Sequence, residues 1–383
     1  MKKKVIVAMS GGVDSTVSAY LLSKQNYECI GVYLKLFDNN ANQSYIKIDD
    51  PTILYNSSVN ISEKNYDYNN DLNSMYNTIQ VERIAKLLNI PLYTYDVSDI
   101  FKKKVITRFV KSYQQGETPN PCISCNKYIK FNLLYDIAKQ HNADFIATGH
   151  YAIFNFDKQK NEFVLRKGKD KKKDQSYVLY TISKAHLSKT IFPLGNYLKS
   201  DVREIARYQG FENYDKKDSQ DICFVSNGDY AEFITKFTNK PPCIGDFIDL
   251  NGKSLGKHQG LIKYTIGQRK GLGISLNRPM FVHSKNIKKN TITLCDDNQL
   301  YSNCLSTRGF HWVKNIDYLL HSSHSFRAKA KIRYNQSEEW SNVIVESKNI
   351  VHLLFDNPQR AIAKGQSAVL YDDDVVFGGG IIV

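Results

Sequence analysis

The sequence predicts an α/β domain built on a parallel sheet, then a small central domain, then an all-β region of sandwich or barrel type. Three observations carry this. In the first half, short apolar runs alternate with stretches of helical period, so strands are joined by helices that cover both faces of a sheet. Around residues 241–273 the texture changes to Pro, Gly and basic residues. From about residue 286, short alternating stretches follow one another with turn residues between them. The 383 residues suffice for two or three domains, placed here at 1–226, 227–285 and 286–383.

The elements follow in order. The apolar run 5–8 reads as a buried strand, the turn Ser10-Gly11-Gly12 follows, and a helix runs from about 15 to 25 with Val17, Tyr20, Leu21 and Leu22 on one side. A strand is expected at 28–35, a helix at 75–88, a strand at 92–96 after Pro91, helices at 101–115 and 127–141, and a strand at 144–148. Residues 38–77, crowded with Asn, Tyr, Ser and Asp, lack a period and read as a long insertion. A short helix is expected at 201–209, where Asp201 and Glu204 have capping-box spacing and Gly210 stops it. Another is expected at 230–237. Strands are expected at 291–294, 326–334, 343–346, 351–355, 367–371 and 375–383.

The net charge of +14 favours a polyanionic partner, although lysine runs such as 169–173 are commonly solvated surface. Seven cysteines, an odd count, do not form a disulfide framework, and the apolar run after Met1 is too short for a signal sequence. No stretch approaches membrane-spanning length. The expected compartment is reducing and cytoplasmic.

The string Ser10-Gly11-Gly12-Val13-Asp14-Ser15 has the chemistry of an anion cradle. Its glycines let the backbone approach a phosphate, and the helix start adds partial positive charge. Ser10 and Ser15 bring hydroxyls, and Asp14 an acceptor for Mg2+ or for orienting a group. Unlike the Gly-Lys-Ser/Thr phosphate loop, it contains no lysine. Leu34 and Thr148-Gly149-His150 also fall at carboxyl ends of strands, where such sheets bind ligands. Leu34 could pack on a base and Gly149 leave room for it; His150 reads equally as a structural histidine.

The second informative string is Gly116-Glu-Thr-Pro-Asn-Pro-Cys122-Ile-Ser-Cys125-Asn-Lys127. Pro119 and Pro121 stiffen it, and a helix starting near Asn126 would put Cys125 at an N-terminus beside Lys127 and Lys130, which favours thiolate. Two alternatives stand beside this. Cys122 and Cys125 could be half of a zinc site, though no second pair occurs, or could join Cys223 on an iron–sulfur cluster. Cys223, preceded by Lys216 and Lys217, reads by itself as a buried core cysteine. Cys29, Cys243, Cys295 and Cys304 lie in apolar or strand-like contexts and receive no catalytic role.

Ser10–Ser15 resembles the pyrophosphate loop of the ATP pyrophosphatases. Together with Thr118-Pro-Asn-Pro-Cys-Ile-Ser-Cys-Asn-Lys127, Thr148-Gly-His-Tyr151, Lys173-Asp-Gln-Ser-Tyr177, Asp221-Ile-Cys-Phe224 and Tyr264-Thr-Ile-Gly-Gln-Arg-Lys-Gly-Leu-Gly-Ile274, in this order, it resembles the bacterial tRNA-specific 2-thiouridylase family. The match spans nearly the whole chain and leaves out only 38–77.

The resemblance implies a nucleotide-binding N-terminal domain of the adenine nucleotide alpha hydrolase type and a C-terminal β-barrel. It implies ATP-dependent 2-thiolation of the wobble uridine of tRNAs for Lys, Glu and Gln, with ATP and Mg2+ as cofactors and a persulfide donor protein (a cysteine desulfurase or relay protein) as partner. By resemblance, Cys223 carries the persulfide and Cys125 is its partner thiol. Ala8, Met9, Ser10, Gly11, Gly12, Val13, Asp14, Ser15, Leu34 and Gly149 bind the nucleotide. Asn120, Pro121 and Cys122 meet the target base, and Lys173, Asp174, Gln175, Arg333 and Tyr334 meet the tRNA. Many members have Asp where this chain has Cys122, which leaves the Asp's proton-transfer role unassigned here. Two other classes compete: an amide ligase on the same nucleotide fold, which needs neither cysteine, and a tRNA-binding protein without catalysis.

Overall fold

The computed structural model describes residues 2–36, 46–47, 72–158, 161–216, 218, 222–225, 228–316 and 324–383. It forms two compact units. The first comprises Met1–Ile106, Ile123–Asp218 and Asp374–Val376, the second Thr107–Cys122, Ser219–Asp373 and Phe377–Val383.

The first unit is organised by a parallel sheet. Its strands are β1 (Lys4–Ala8), β2 (Glu28–Lys35), β3 (Ile46–Lys47), β4 (Leu92–Asp96) and β5 (Phe145–Ala147). An antiparallel hairpin follows, β6 (Ala152–Asp157) and β7 (Glu162–Lys167), and then β8 (Thr190–Ile191). The sheet order is β3-β4-β2-β1-β5-β8. Val5, Ile6 and Val7 of β1 are fully buried, as expected of a central strand covered on both faces. The chain builds β2 and β4 on one side of β1 and β5 on the other. The order therefore reverses at β1, and a crevice opens at the carboxyl ends of β1 and β5.

Three expectations shift here. The first helix is Val13–Lys24, two residues earlier than expected, because Gly11 at φ 74 turns the chain at once and extended Gly12 serves as N-cap. The helix Lys199–Tyr208 also starts earlier. Asp201 is its third residue and reaches back to accept the Leu198 N–H at 3.0 Å, so Asp201 and Glu204 are not the capping pair. The insertion at 38–77 lies mostly outside the described residues; β3 and the start of the helix Leu72–Leu87 fall inside them.

The second unit holds a four-stranded sheet of β9 (Gly245–Ile248), β10 (Ser254–His258), β11 (Phe281–Asn286) and β12 (Thr291–Cys295), in the order β10-β9-β12-β11. Phe247, Tyr264, Val282, Ile292 and Leu294 form its core. The strand expected at 291–294 as part of the C-terminal region is β12, and it pairs with β9 and β11 instead.

The C-terminal region is a barrel, not a sandwich. Its strands are β13 (Tyr301–Trp312), β14 (Ser325–Lys331), β15 (Glu339–Ser347), β16 (Ile350–Arg360), β17 (Ser367–Asp372) and β18 (Val375–Ile382). They run in the order β13-β16-β15-β14-β17-β18, and β13 pairs with β18 to close the ring, which leaves no open edge. Phe310, Val343, Leu353, Leu370 and Phe377 fill it. β13 escaped the sequence reading because Gly309, at φ 59, and two register shifts break its alternation. β14 stops at Lys331, so Arg333 and Tyr334 sit in the turn beyond the strand expected to contain them. Among the described residues no helix is long and apolar enough to cross a membrane.

Candidate active site

In the first unit, the glycine loop sits at the carboxyl end of β1. Ser15 Oγ accepts the Ser10 N–H at 3.2 Å and donates to Gly12 O at 2.9 Å, which curls the loop over the helix start. At this end the Thr16 N–H donates to Gly12 O at 3.2 Å. The N–H groups before it have no acceptor one helical turn back, the arrangement that suits a helix N-terminus to an anion. Leu34 is half-buried at the carboxyl end of β2. Gly149 closes the crevice from β5. A Cβ there would lie 3.0 Å from Asp14 C and 3.0 Å from Ser15 N, so the helix start passes directly over this glycine. Its smallness thus serves close backbone packing as well as any bound base.

Asp14 is not a vacant acceptor. Lys199 Nζ lies 2.8 Å from both of its carboxylate oxygens, and the Tyr151 hydroxyl donates to Oδ1 at 2.7 Å. Burial, and then the Asp14 carboxylate, drive the Tyr151 pKa well above the usual phenol range, so the hydroxyl stays a donor. Lys199 also reaches Asp218 Oδ1 at 2.8 Å, and Asp218 Oδ2 takes Lys173 Nζ at 2.8 Å. Burial pushes the Asp218 carboxyl up, but hydrogen bonds from Lys173 and Lys199 outweigh it and hold it at about 2. Asn213, buried, donates to Gly11 O and Thr16 Oγ1, and Lys216 places its ammonium 2.9 Å from Gln80 Oε1 and 3.5 Å from Gly11 O.

Sequence reasoning missed Lys199, Tyr151, Asn213 and Asp218 because they lie 137–204 residues from Asp14 in the chain. One signal was present: Lys199 opens a helix, where the helix field disfavours a cation. Thus a lysine from a distant helix meets the loop at Asp14.

His150 has a structural setting. Its Nδ1 lies 2.8 Å from Thr148 Oγ1, its ring packs on Phe131 and Phe192, and burial followed by nearby Lys130 lowers its pKa well below the usual imidazole value. Of the expected tRNA-contact triplet, Asp174 is buried and accepts from the Gly168 N–H, the Ser176 N–H and the Ser176 hydroxyl. Gln175 Oε1 takes the Tyr151 N–H at 3.0 Å. Lys173, at 36% side-chain exposure, is the member that presents charge to solvent.

The cysteine string departs from expectation. The helix begins at Pro121, not near Asn126, and continues as a π-helical stretch Asn126–Phe131 into Asn132–Gln140. Pro121 suits the first helical position, and Asn120 Oδ1 accepts the Cys122 N–H at 3.1 Å as an N-cap. The first turn therefore holds exposed Cys122, while Cys125 is buried inside the helix rather than at its start. Cys223 is exposed, not a core cysteine, because its segment forms a turn rather than a packed element. Lys217 and Ser219–Asp221 before it lie outside the described residues. In the second unit, Arg333 Nη2 donates to Ala361 O at 2.7 Å and Ile266 O at 3.3 Å, while Lys331 lies over the Tyr334 ring.

Burial raises the Cys29 thiol to about 11, and burial, then Asp296 and Asp297, raise that of Cys295. Neither is a ready nucleophile. Among the described residues no three His, Cys, Asp or Glu side chains are placed to hold a metal ion.

Family models match residues 3–227 as a tRNA methyl transferase HUP domain, 231–296 as a tRNA methyl transferase PRC-barrel domain and 302–382 as an aminomethyltransferase beta-barrel domain. The tRNA-specific 2-thiouridylase MnmA of Clostridioides difficile is 41% identical over 382 residues, covering 100% of this chain and 98% of that one. Those of Acetivibrio thermocellus and Clostridium acetobutylicum are each 40% identical, covering 100% of this chain and 99% and 100% of theirs. A solved NMN synthetase from Francisella tularensis aligns at 17% identity and a TM-score of 0.31, covering 63% of this chain and 79% of that one, and supports no argument. The domain descriptions speak of methyl transfer, but they match the chain piecewise, whereas the named relatives match it end to end. On that full-length identity, the chain belongs to the tRNA-specific 2-thiouridylase family.

Proposed function

We propose that this protein uses ATP to replace the C2 oxygen of the wobble uridine with sulfur in the tRNAs for Lys, Glu and Gln. The observation that carries the reading is the cradle of N–H groups at the crevice where the sheet order reverses, in a chain that matches thiouridylases along its whole length.

The chemistry follows from a poor leaving group. The uracil C2 oxygen attacks the α-phosphorus of ATP, the bond to the β-phosphate oxygen breaks, and pyrophosphate leaves into the cradle of Ser10, Gly11, Gly12, Val13, Asp14 and Ser15. Ala8 and Met9 lead into this cradle, and Leu34 and Gly149 flank the nucleotide. The adenylated C2 is then open to a sulfur nucleophile. The terminal sulfur of a Cys223 persulfide bonds to C2, and AMP departs with the oxygen. The Cys125 thiolate attacks Cys223 Sγ, giving a Cys125–Cys223 disulfide and the thiocarbonyl of 2-thiouridine. Two electrons from Cys125 reduce the transferred sulfur, and a thiol reductant reopens the disulfide. The persulfide comes from a donor protein.

Asn120, Pro121 and Cys122 form the base-contact segment, and Lys173, Asp174, Gln175, Arg333 and Tyr334 the tRNA contacts. Lys173 neutralises phosphate, while Asp174 and Arg333 act by fixing the turns that they bond. Mg2+ belongs with the ATP phosphates. The residues present do not fit a protein-held ion, since both Asp14 oxygens already face an ammonium.

Nucleoside mass spectrometry of tRNA from cells lacking the protein tests the reading. Wild type should restore 2-thiouridine, and Cys125→Ser and Cys223→Ser should not. Restoration by either variant removes that thiol from the mechanism.

A further inference from the structure

The loop ahead of Cys122 is gripped by the C-terminal barrel within the second unit. The Thr118 N–H donates to Lys364 O at 2.7 Å, and Gln366 Nε2 donates to Thr118 O at 2.6 Å, so residues flanking one barrel turn take both backbone groups of a single loop residue. Between them, Gly365 stands at φ 89, and a Cβ there would come within 2.7 Å of Glu117 Cβ and 2.9 Å of Thr118 N. The Glu117 carboxylate, at 13% side-chain exposure, takes Arg308 Nη2 of β13 at 2.7 Å. The turn itself is tied to the end of β18: the Gly365 N–H donates to Ile382 O at 2.9 Å, and the Ile382 N–H to Gln366 O at 2.8 Å.

What is fixed at Thr118 is passed on. Pro119 and Pro121 lock their own φ and hold the residues before them extended. Asn120 then caps the helix through the Cys122 N–H. Few soft dihedrals separate the barrel's grip from Cys122.

We propose that the barrel positions the base-contact segment 120–122, with Glu117, Arg308, Gly365 and Gln366 as positioning residues, in addition to any contact the barrel makes with tRNA. This rests on the reading that Asn120, Pro121 and Cys122 face the target uridine. A barrel that only held tRNA would set affinity. A barrel that aims the segment sets the rate once tRNA is bound, because an error of about 1 Å at a reacting centre costs about a hundredfold.

The test compares full-length wild type, Gly365→Ala, Glu117→Arg, Arg308→Glu and the Glu117→Arg/Arg308→Glu double variant. Three quantities are measured: tRNA affinity by filter binding, single-turnover 2-thiouridine formation at saturating tRNA with persulfide-loaded enzyme, and peptide-resolved alkylation of exposed Cys122 against exposed Cys243. Gly365→Ala should slow the single turnover by about a hundredfold and each charge reversal by about tenfold. Affinity should stay within about twofold, and the double reversal should recover most of the rate. Cys122 alkylation should change while that of Cys243 does not. Weakened affinity with an unchanged saturated rate overturns the proposal, as does a double variant that is simply additive. Altered Cys122 labelling in the variants, beside a wild type that forms no 2-thiouridine, would instead keep the grip and remove the thiolation reading.

Discussion

The glycine loop and the cysteine loop are both turns that lead into helices, yet their backbones are shaped in different ways. Ser10–Ser15 is curled by its own side chains, with Ser15 bonded to Ser10 and Gly12, before Asn213 reaches Gly11 O and Lys199 and Tyr151 reach Asp14. Residues 116–118 make few such bonds and are held by Arg308, Lys364 and Gln366, about 190–250 positions away. The difference teaches that one short string can encode the curl of a glycine turn at a helix start, while the charges that meet it come from elsewhere in the chain. Residues 116–118 take their closure from the barrel instead.

Perturbing the glycine loop should have the largest effect. Gly149→Val puts carbon against backbone atoms that cannot rotate away, 3.0 Å from Asp14 C and Ser15 N. We expect a loss of about 2 kcal/mol in stability and about a hundredfold in ATP-dependent pyrophosphate release, read by melting and by a pyrophosphate assay. A variant with wild-type release would mean that the helix start tolerates displacement, and the cradle would not be the rigid partner in the comparison.

A smaller effect probes the distant cation that meets Asp14. Lys199→Met leaves the Asp14 carboxylate facing an incoming polyphosphate without its counter-charge, so ATP affinity should fall about tenfold with tRNA affinity unchanged. Asp14→Asn in the same chain should recover much of it. If the second change deepens the loss, Lys199 acts on the phosphate directly and not through Asp14.

The smallest effect is a pH slope. His150 is buried neutral, with its folded pKa below the ordinary 6.5. Its contribution is therefore complete above pH 6.5 and is lost as pH falls from there toward the folded value, by at most about 1.4 kcal/mol per pH unit. Urea unfolding of wild type and His150→Gln between pH 8 and about pH 5 should show a shallower slope for the variant. Equal slopes would remove His150 as the titrating group.

The alternation of apolar and helical runs was enough for the parallel sheet, since Val5, Ile6 and Val7 leave a central strand no other environment. The barrel's later strands were legible by alternation, whereas β13 was hidden by Gly309 and its register shifts. The start at Pro121 could have been read from Asn120-Pro121, a cap followed by a first-turn proline, but the cysteine spacing drew attention to Asn126. Cys223 was misplaced in a core because cysteine is commonly buried and its exposure depends on the fold of a turn.

By itself the sequence determined what is local: the period of the strands and helices, the glycine turn that frees N–H groups, and the family that six ordered strings specify. Only the tertiary structure decided which distant charges meet Asp14, that the sheet order reverses at β1, and which barrel residues hold Thr118. The physical reason is range. Backbone preference and hydrophobic period act over a few residues, while an ion pair such as Lys199–Asp14 depends on the path of the whole chain between its members.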